Sequence, residues 1–306
     1  MTDSILLHQY EISPFSEKVR VVFGIMGLEW YAVDQPVIMP KPDLVCLTGG
    51  YRKIPVLQIG ADIYCDTQII VDELNRRFAA RALPDAGGLG TALGFWSDRV
   101  LFQAVVAVIF GSIGAHVDDA FKKDREAMTG RPFDTDQMKQ AVPVMTEQVR
   151  AHFGLLDGHL ADGRAFLGGD RAGLADAHAY YNIWFMRATH PAAATSLVDG
   201  FSHLPLWEQR VKALGHGTRH DMPAAEAIRI AKQATSTTQE HLDPHEPNGL
   251  TPGTNVQVMA DDYGRDPIRG TLVASSATAI AIRRTDPQVG EVVVHVPRAG
   301  FWVVPA

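Results

Sequence analysis

Residues 51–74 read YRKIPVLQIGADIYCDTQIIVDEL, and the fold of the first third of the chain is decided there. Val56–Ile59 and Ile63–Cys65 are two short apolar runs, and Gly60-Ala61-Asp62 between them makes a hairpin turn. Asp66-Thr67 then caps a helix, because Ile70, Val71, Leu74 and Phe78 follow at helical spacing. Pro55 has no N–H to give a ladder, so it stands at the start of the first strand. An X-Pro bond also takes the cis form at modest cost. That geometry would turn the chain and leave the backbone groups of Ile54 free for a ligand.

Working outward, Ile5–Tyr10 reads as a buried strand. Ser13-Pro14 opens a helix, since Ser caps well and Pro suits the first helical position. Val19, Val22, Phe23 and Met26 form its apolar stripe, Gly27 closes it, and Trp30–Val33 resumes as strand. A strand–helix–strand crossover implies parallel strands. Followed by an antiparallel hairpin and a helix, this is the order of a thioredoxin-like domain.

The motif Lys53-Ile54-Pro55-Val56-Leu57, a hairpin, and an acid-hydroxyl pair opening a helix resembles the glutathione site of glutathione transferases. The resemblance implies a cis Pro55 and an Ile54 backbone that pairs with the cysteinyl part of glutathione. It implies further that Asp66 and Thr67 hold the γ-glutamyl end and that Lys53 reaches the glycine carboxylate. By position, Ser13 matches the catalytic serine of the serine-type enzymes. A hydroxyl donor at a helix N-terminus favours the thiolate, which is the nucleophile. Ser16, one turn on, is the competing hydroxyl.

Arg81–Gly90 is a linker by composition. Beyond it the spacing predicts helices near 91–116, 138–161, 173–189, 205–215 and 223–234. The stretch GLADAHAYYNIWF resembles the family's buried-helix signature, with Asp176 in place but Gly173 where Ser or Thr is usual. A polar, Pro-bearing linker, Thr235–Gly253, leads to alternating apolar positions from Val256 to Val303. Five short strands there read as a small antiparallel barrel of SH3-like size. The fold class expected is therefore α+β and multidomain. Residues 1–82 form a thioredoxin-like glutathione-binding domain, 91–235 an all-helical domain of the transferase type, and 250–306 the barrel. Apolar residues on both faces of its last strands need cover, and the helical domain is the nearest surface.

Of 306 residues, 46% are apolar and the net charge is −7, which gives no electrostatic case for nucleic acid or an anionic membrane surface. The longest apolar run, Ala104–Ala115, reads as a buried helix too short to span a bilayer. Two cysteines are too few for a disulfide scaffold and suit a reducing, cytoplasmic setting. Cys65 reads as a strand residue and Cys46 as part of a polar loop. His216/His220 and His241/His245 have metal-ligand spacing, but both pairs lie in Gly- or Pro-broken segments and read as surface histidines, so no metal is expected. Tyr10, Phe15, Phe102, Phe110 and His116 are candidate walls for an acceptor site. Two functions follow. The first is an enzyme that activates the glutathione thiol, with glutathione as co-substrate, against a small electrophile. The alternative is a non-catalytic binding or scaffold protein whose C-terminal barrel engages a partner. The resemblance also implies a homodimer, supported by the apolar stretch Phe95–Ile113.

Overall fold

The computed structural model describes residues 4–306. The chain opens with β1 (Leu6–Gln9), α1 (Pro14–Met26) and β2 (Glu29–Asp34), and β1 and β2 pair in parallel as the crossover requires. Ser13 caps α1 by accepting from the Ser16 N–H, and Gly27 ends it at φ 60°, a left-handed position suited to glycine. α2 (Pro42–Thr48) follows, a helix of seven residues that the sequence pattern does not announce. Its Leu44 and Leu47 are fully buried, and Cys46 is buried with them, so Cys46 lies in a core helix rather than a polar loop. β3 (Val56–Ile59) and β4 (Asp62–Cys65) form the expected hairpin, and α3 (Thr67–Arg77) starts at the Asp66 cap.

The helical body comprises α4 (Gly88–Trp96), α5 (Phe102–Ile113), α6 (Asp119–Thr129), α7 (Thr135–Leu160), α8 (Leu174–Thr189), α9 (Pro191–Val198) and α10 (Leu204–Ala213). A π-helical turn, Ser97–Leu101, joins α4 to α5. The run Gly88–His116 is thus 29 residues with a most apolar window of mean hydropathy 1.5, long and apolar enough to cross a bilayer by length and composition. It is longer than the apolar run read from sequence, and much of its apolar surface faces α7, α8 and a cleft.

α8 is the buried centre of this body, and its cap explains the glycine at 173. Gly173 has no side-chain oxygen, but the Asp85 carboxylate arrives from the linker and accepts from Leu174 N at 2.5 Å and Ala175 N at 2.8 Å. A Cβ at 173 would meet Asp85 Oδ1 at 2.2 Å, so the cap from a distance requires glycine there. Asp176 completes the arrangement by accepting from Gly173 N, Leu167 N and the Trp207 indole.

After α10 the chain returns to the first sheet. β5 (Thr218–Asp221) pairs in parallel with β2, and α11 (Ala224–Gln233) packs on the face formed by Leu6 and Val33. The period-two region forms β6 (Asn255–Ala260), β7 (Ile268–Ser275), β8 (Ala279–Asp286), β9 (Gly290–Pro297) and β10 (Phe301–Pro305). These strands do not close into a barrel. β9 pairs in parallel with β4, giving one open sheet in the order β10-β6-β7-β8-β9-β4-β3-β1-β2-β5. The exposed edge of β4 would otherwise carry unpaired backbone groups, and β9 covers it. The apolar cover also differs from the expected one. Val256, Val258, Ile282, Val294 and Phe301 share a core with Leu44, Ile54 and Ile63 of the thioredoxin-like part, not with the helical body.

A polar knot fixes this junction. The Asp62 carboxylate accepts from Ser236 Oγ at 2.6 Å, Thr237 N at 3.1 Å, Thr238 Oγ1 at 2.7 Å and His295 Nε2 at 3.0 Å. Burial pushes this carboxyl up, but the His295, Ser236 and Thr238 hydrogen bonds outweigh it and hold it down at about 2.

Candidate functional site

A cleft of about 1580 Å³ runs between the thioredoxin-like part and the helical body, roofed at one end by the β6–β7 connection. Ser13, Lys53, Ile54, Pro55, Asp66 and Thr67 all line it, and Ser16 does not. The Ile54-Pro55 peptide is cis. Ile54 stands outside the ladder, whose first pairs are His8↔Val56 and Val56↔Cys65.

Ser13 Oγ accepts from Ser16 N at 3.1 Å. That cap uses a lone pair, so the Ser13 proton is shared between the Tyr10 oxygen and any group that enters the cleft. Ser16 is fully buried and its hydroxyl has no partner among the described residues, so its place is inside α1. The Tyr10 hydroxyl neighbours Ser13. Burial raises this phenol above its usual range, opposed by Arg125 and Ser13. Sequence reading gave Tyr10 only a role as wall, because its approach to Ser13 depends on the turn after β1.

Asp66 is the one non-glycine residue at positive φ, 97°, among the described residues. Such a conformation costs about 1–3 kcal/mol and persists where the surroundings enforce it. Asp66 Oδ1 accepts from Gln68 N at 2.9 Å. Burial raises its carboxyl, and the Gln68 N–H, Lys53 and Lys18 offset this only in part. Thr67 Oγ1 accepts from Lys18 Nζ at 3.0 Å, and the same ammonium binds Asp98 at 2.6 Å. Asp98 belongs to the π-helical turn and also accepts from the Tyr181 hydroxyl at 2.9 Å. The fully buried Lys18 thus ties the floor of the cleft to the helical body. Sequence spacing could not find this pair, since Lys18 sits on the same face of α1 as apolar residues.

Positive groups collect beyond Pro55. Lys53 Nζ pairs with Asp262 Oδ1 at 2.7 Å and lies 4.4 Å from the centre of the Tyr263 ring. Arg52 pairs with Asp124 of α6, which also binds Arg125 at 2.7 Å and accepts from Met39 N at 2.9 Å. Lys41 is buried and its ammonium donates to the Arg52 carbonyl at 3.2 Å. Burial, with Arg125 nearby, pulls Lys41 down to about 8. Asp124 opposes this only in part. Lys41 was not singled out from sequence, where it is one lysine between two prolines.

The other half of the cleft is apolar. Phe15 meets Phe102 edge-on at 4.8 Å, and Phe110, Phe121 and Phe133 form a triangle with centroids 5.2–5.8 Å apart. Tyr10, Phe15, Phe102, Phe110 and His116, the expected walls, all line it. The histidine pairs stand elsewhere: His216 binds Glu17 at 2.9 Å and His220 binds Glu29 at 2.9 Å.

A thioredoxin-like sheet with a cis-proline loop and an acid-hydroxyl helix cap faces a helical body across an aromatic cleft, the arrangement that the sequence resemblance implies. The family description "Glutathione S-transferase, N-terminal domain" matches residues 7–82, and a domain of unknown function matches residues 104–216. A GST-like protein from Pseudomonas syringae is 34% identical, with a TM-score of 0.82 over 100% of both chains. The probable glutathione S-transferase BZ2 of Zea mays is 29% identical over 66% of this chain and 84% of its own. A glutathione transferase family member from Pseudomonas fluorescens, solved with two glutathione bound, shares the fold at 16% identity and a TM-score of 0.52, over 70% of this chain and 88% of that one. This chain belongs to the glutathione transferase family.

Proposed function

We propose that the protein is a glutathione transferase in which Ser13 steadies the glutathione thiolate for attack on a small apolar electrophile. The observation that carries this is Ser13 itself: it lines the cleft and its oxygen accepts from the Ser16 N–H, so its proton can turn from the neighbouring Tyr10 to an anion in the cleft. The N-terminal end of α1 adds a positive dipole to the same place. The γ-glutamyl ammonium goes to Asp66, whose buried charge lacks a full counter-ion. The γ-glutamyl carboxylate goes to the Thr67 hydroxyl and N–H, the cysteinyl backbone to Ile54, and the glycine carboxylate to the positive face of Lys41 and Lys53. The thiol proton leaves to solvent, and the sulfur then forms a C–S bond to an acceptor held against Phe102 and Phe110 while the acceptor's bond to its leaving group breaks and that group departs to solvent as an anion.

The acceptor class is read from that apolar half: small, aromatic or aliphatic, and electrophilic. The retained Ser13, cis Pro55 and Asp66-Thr67 arrangement supports turnover over a scaffold role. The family's two-fold homodimer is part of this proposal, and light scattering that returned a monomer at micromolar concentration would remove it. Calorimetric titration with glutathione tests the binding site, and a conjugation assay with a chloronitrobenzene tests turnover. Absence of glutathione binding at millimolar concentration would end the proposal.

A further inference from the structure

The β6–β7 connection, residues 261–267, comes from the C-terminal strands but lies on the cleft. Three attachments hold it. Asp261 pairs with Arg99 of the π-helical turn at 2.6 Å, Gly264 N donates to Met128 O at the end of α6 at 2.8 Å, and Asp262 pairs with Lys53 at 2.7 Å. Gly264 is buried at φ 62°, and a Cβ there would press on Lys53 Cε at 3.3 Å. The Asp262 carboxylate is held in turn by the Tyr263 N–H at 2.6 Å. The segment is therefore pinned to both lobes rather than hung as a flap, and it sets a fixed negative charge on the lysine beside Pro55.

We propose that Asp262 is a specificity-determining residue: it occupies Lys53 and lowers the site's preference for a free carboxylate at the glycine end of the thiol peptide. This rests on the glutathione reading above and deepens it. With Lys53 engaged by Asp262, the ligand's carboxylate leans more on Lys41 of the same positive face, while Asp262 repels it. The thiol peptides favoured over those of an unroofed site are the ones whose glycine end is uncharged, an amide or ester. Tyr263 covers the Lys53 ammonium, 4.4 Å from its ring centre, and so favours the lysine's place beside Asp262, the more exposed partner.

The test compares glutathione with its glycyl ethyl ester by calorimetric titration of the full-length protein. The proteins are wild type, Asp262→Asn, Lys53→Gln and the double variant. Asp262→Asn keeps an oxygen for the Tyr263 N–H and removes the charge. Wild type is expected to bind the acid and the ester within about threefold of each other. Asp262→Asn should tighten the acid by about fivefold, the scale of a half-exposed ion pair, and leave the ester unchanged. Lys53→Gln should weaken the acid less in wild type than in the Asp262→Asn background, where it abolishes the gain, a coupling that mere loosening of the loop would not produce. An acid-to-ester ratio that Asp262→Asn leaves unchanged, with both ligands binding, overturns the proposal and spares the glutathione reading. Failure of both ligands to bind any of the four proteins overturns both.

Discussion

Asp85→Ala removes a helix cap that comes from another part of the chain. The Asp85 carboxylate serves the first two N–H groups of α8, and no oxygen at position 173 can replace it. Loss of an N-cap oxygen costs about 1 kcal/mol, and a carboxylate at a partly buried helix N-terminus contributes up to about 1 kcal/mol more through the dipole. The expected loss is about 2 kcal/mol, or about 4 °C in melting temperature for a chain of this size. Gly173→Ser alone should also destabilise, because its Cβ would stand 2.2 Å from Asp85 Oδ1 and drive the carboxylate off both N–H groups. In the double variant the space is vacated, and the new hydroxyl can cap α8 locally. The double variant should therefore recover about 1 kcal/mol relative to Asp85→Ala, a strongly non-additive cycle. Urea unfolding of the four proteins, followed by circular dichroism, reads it directly. If Gly173→Ser matches wild type, or the double variant shows the sum of the two losses, the cap from a distance is not what glycine 173 is there for.

Ser13→Ala should lower turnover with a chloronitrobenzene by one to two orders of magnitude, roughly the worth of one charge-assisted hydrogen bond to the thiolate, while glutathione affinity stays within about threefold. Ser16→Ala, whose hydroxyl has no partner, should leave turnover unaltered, and the reverse pattern would move the catalytic assignment. Asp66→Ala should weaken glutathione binding by about 1–3 kcal/mol, and unchanged calorimetric affinity would take Asp66 out of the site. Burial pulls His8 from 6.5 to about 4, so between those values the unfolded chain holds a proton that the folded chain refuses. Stability is then full above pH 6.5 and falls by about 3 kcal/mol as pH drops to 4, with buried His178 adding the same sign. His8→Asn should flatten that acid limb in urea titrations, and an unaltered slope would refute the assignment. Limited proteolysis in the segment 239–249 should nick the chain without freeing the C-terminal strands, because Asp62 and β9 hold them to β4; release of a soluble fragment with unchanged melting would contradict the packing seen here.

The elements legible in the sequence are those whose signals lie within a few residues of each other. Ser13-Pro14 and Gly27 bracket α1 by capping and φ preference alone, the hairpin follows from two apolar runs about a turn, and period two marks β6 to β10. The candidate glutathione residues were legible for the same reason, since Ile54-Pro55 and Asp66-Thr67 are contiguous motifs. α2 and α9, of seven and eight residues, are too short to show periodicity, and β5 is an exposed polar strand that exists because β2 offers an edge. The deciding contacts are long-range. Lys18 finds Asp98 across 80 residues, Leu174 finds Asp85 across 89, and Lys53 finds Asp262 across 209. Each is a charge buried or half-buried against a partner that only the packed chain brings near, and no local propensity encodes such a pairing. The barrel expected of the last strands does not form for the same reason: alternation says which face is apolar, but whether β9 meets β10 or β4 depends on which edge stands open in the folded protein.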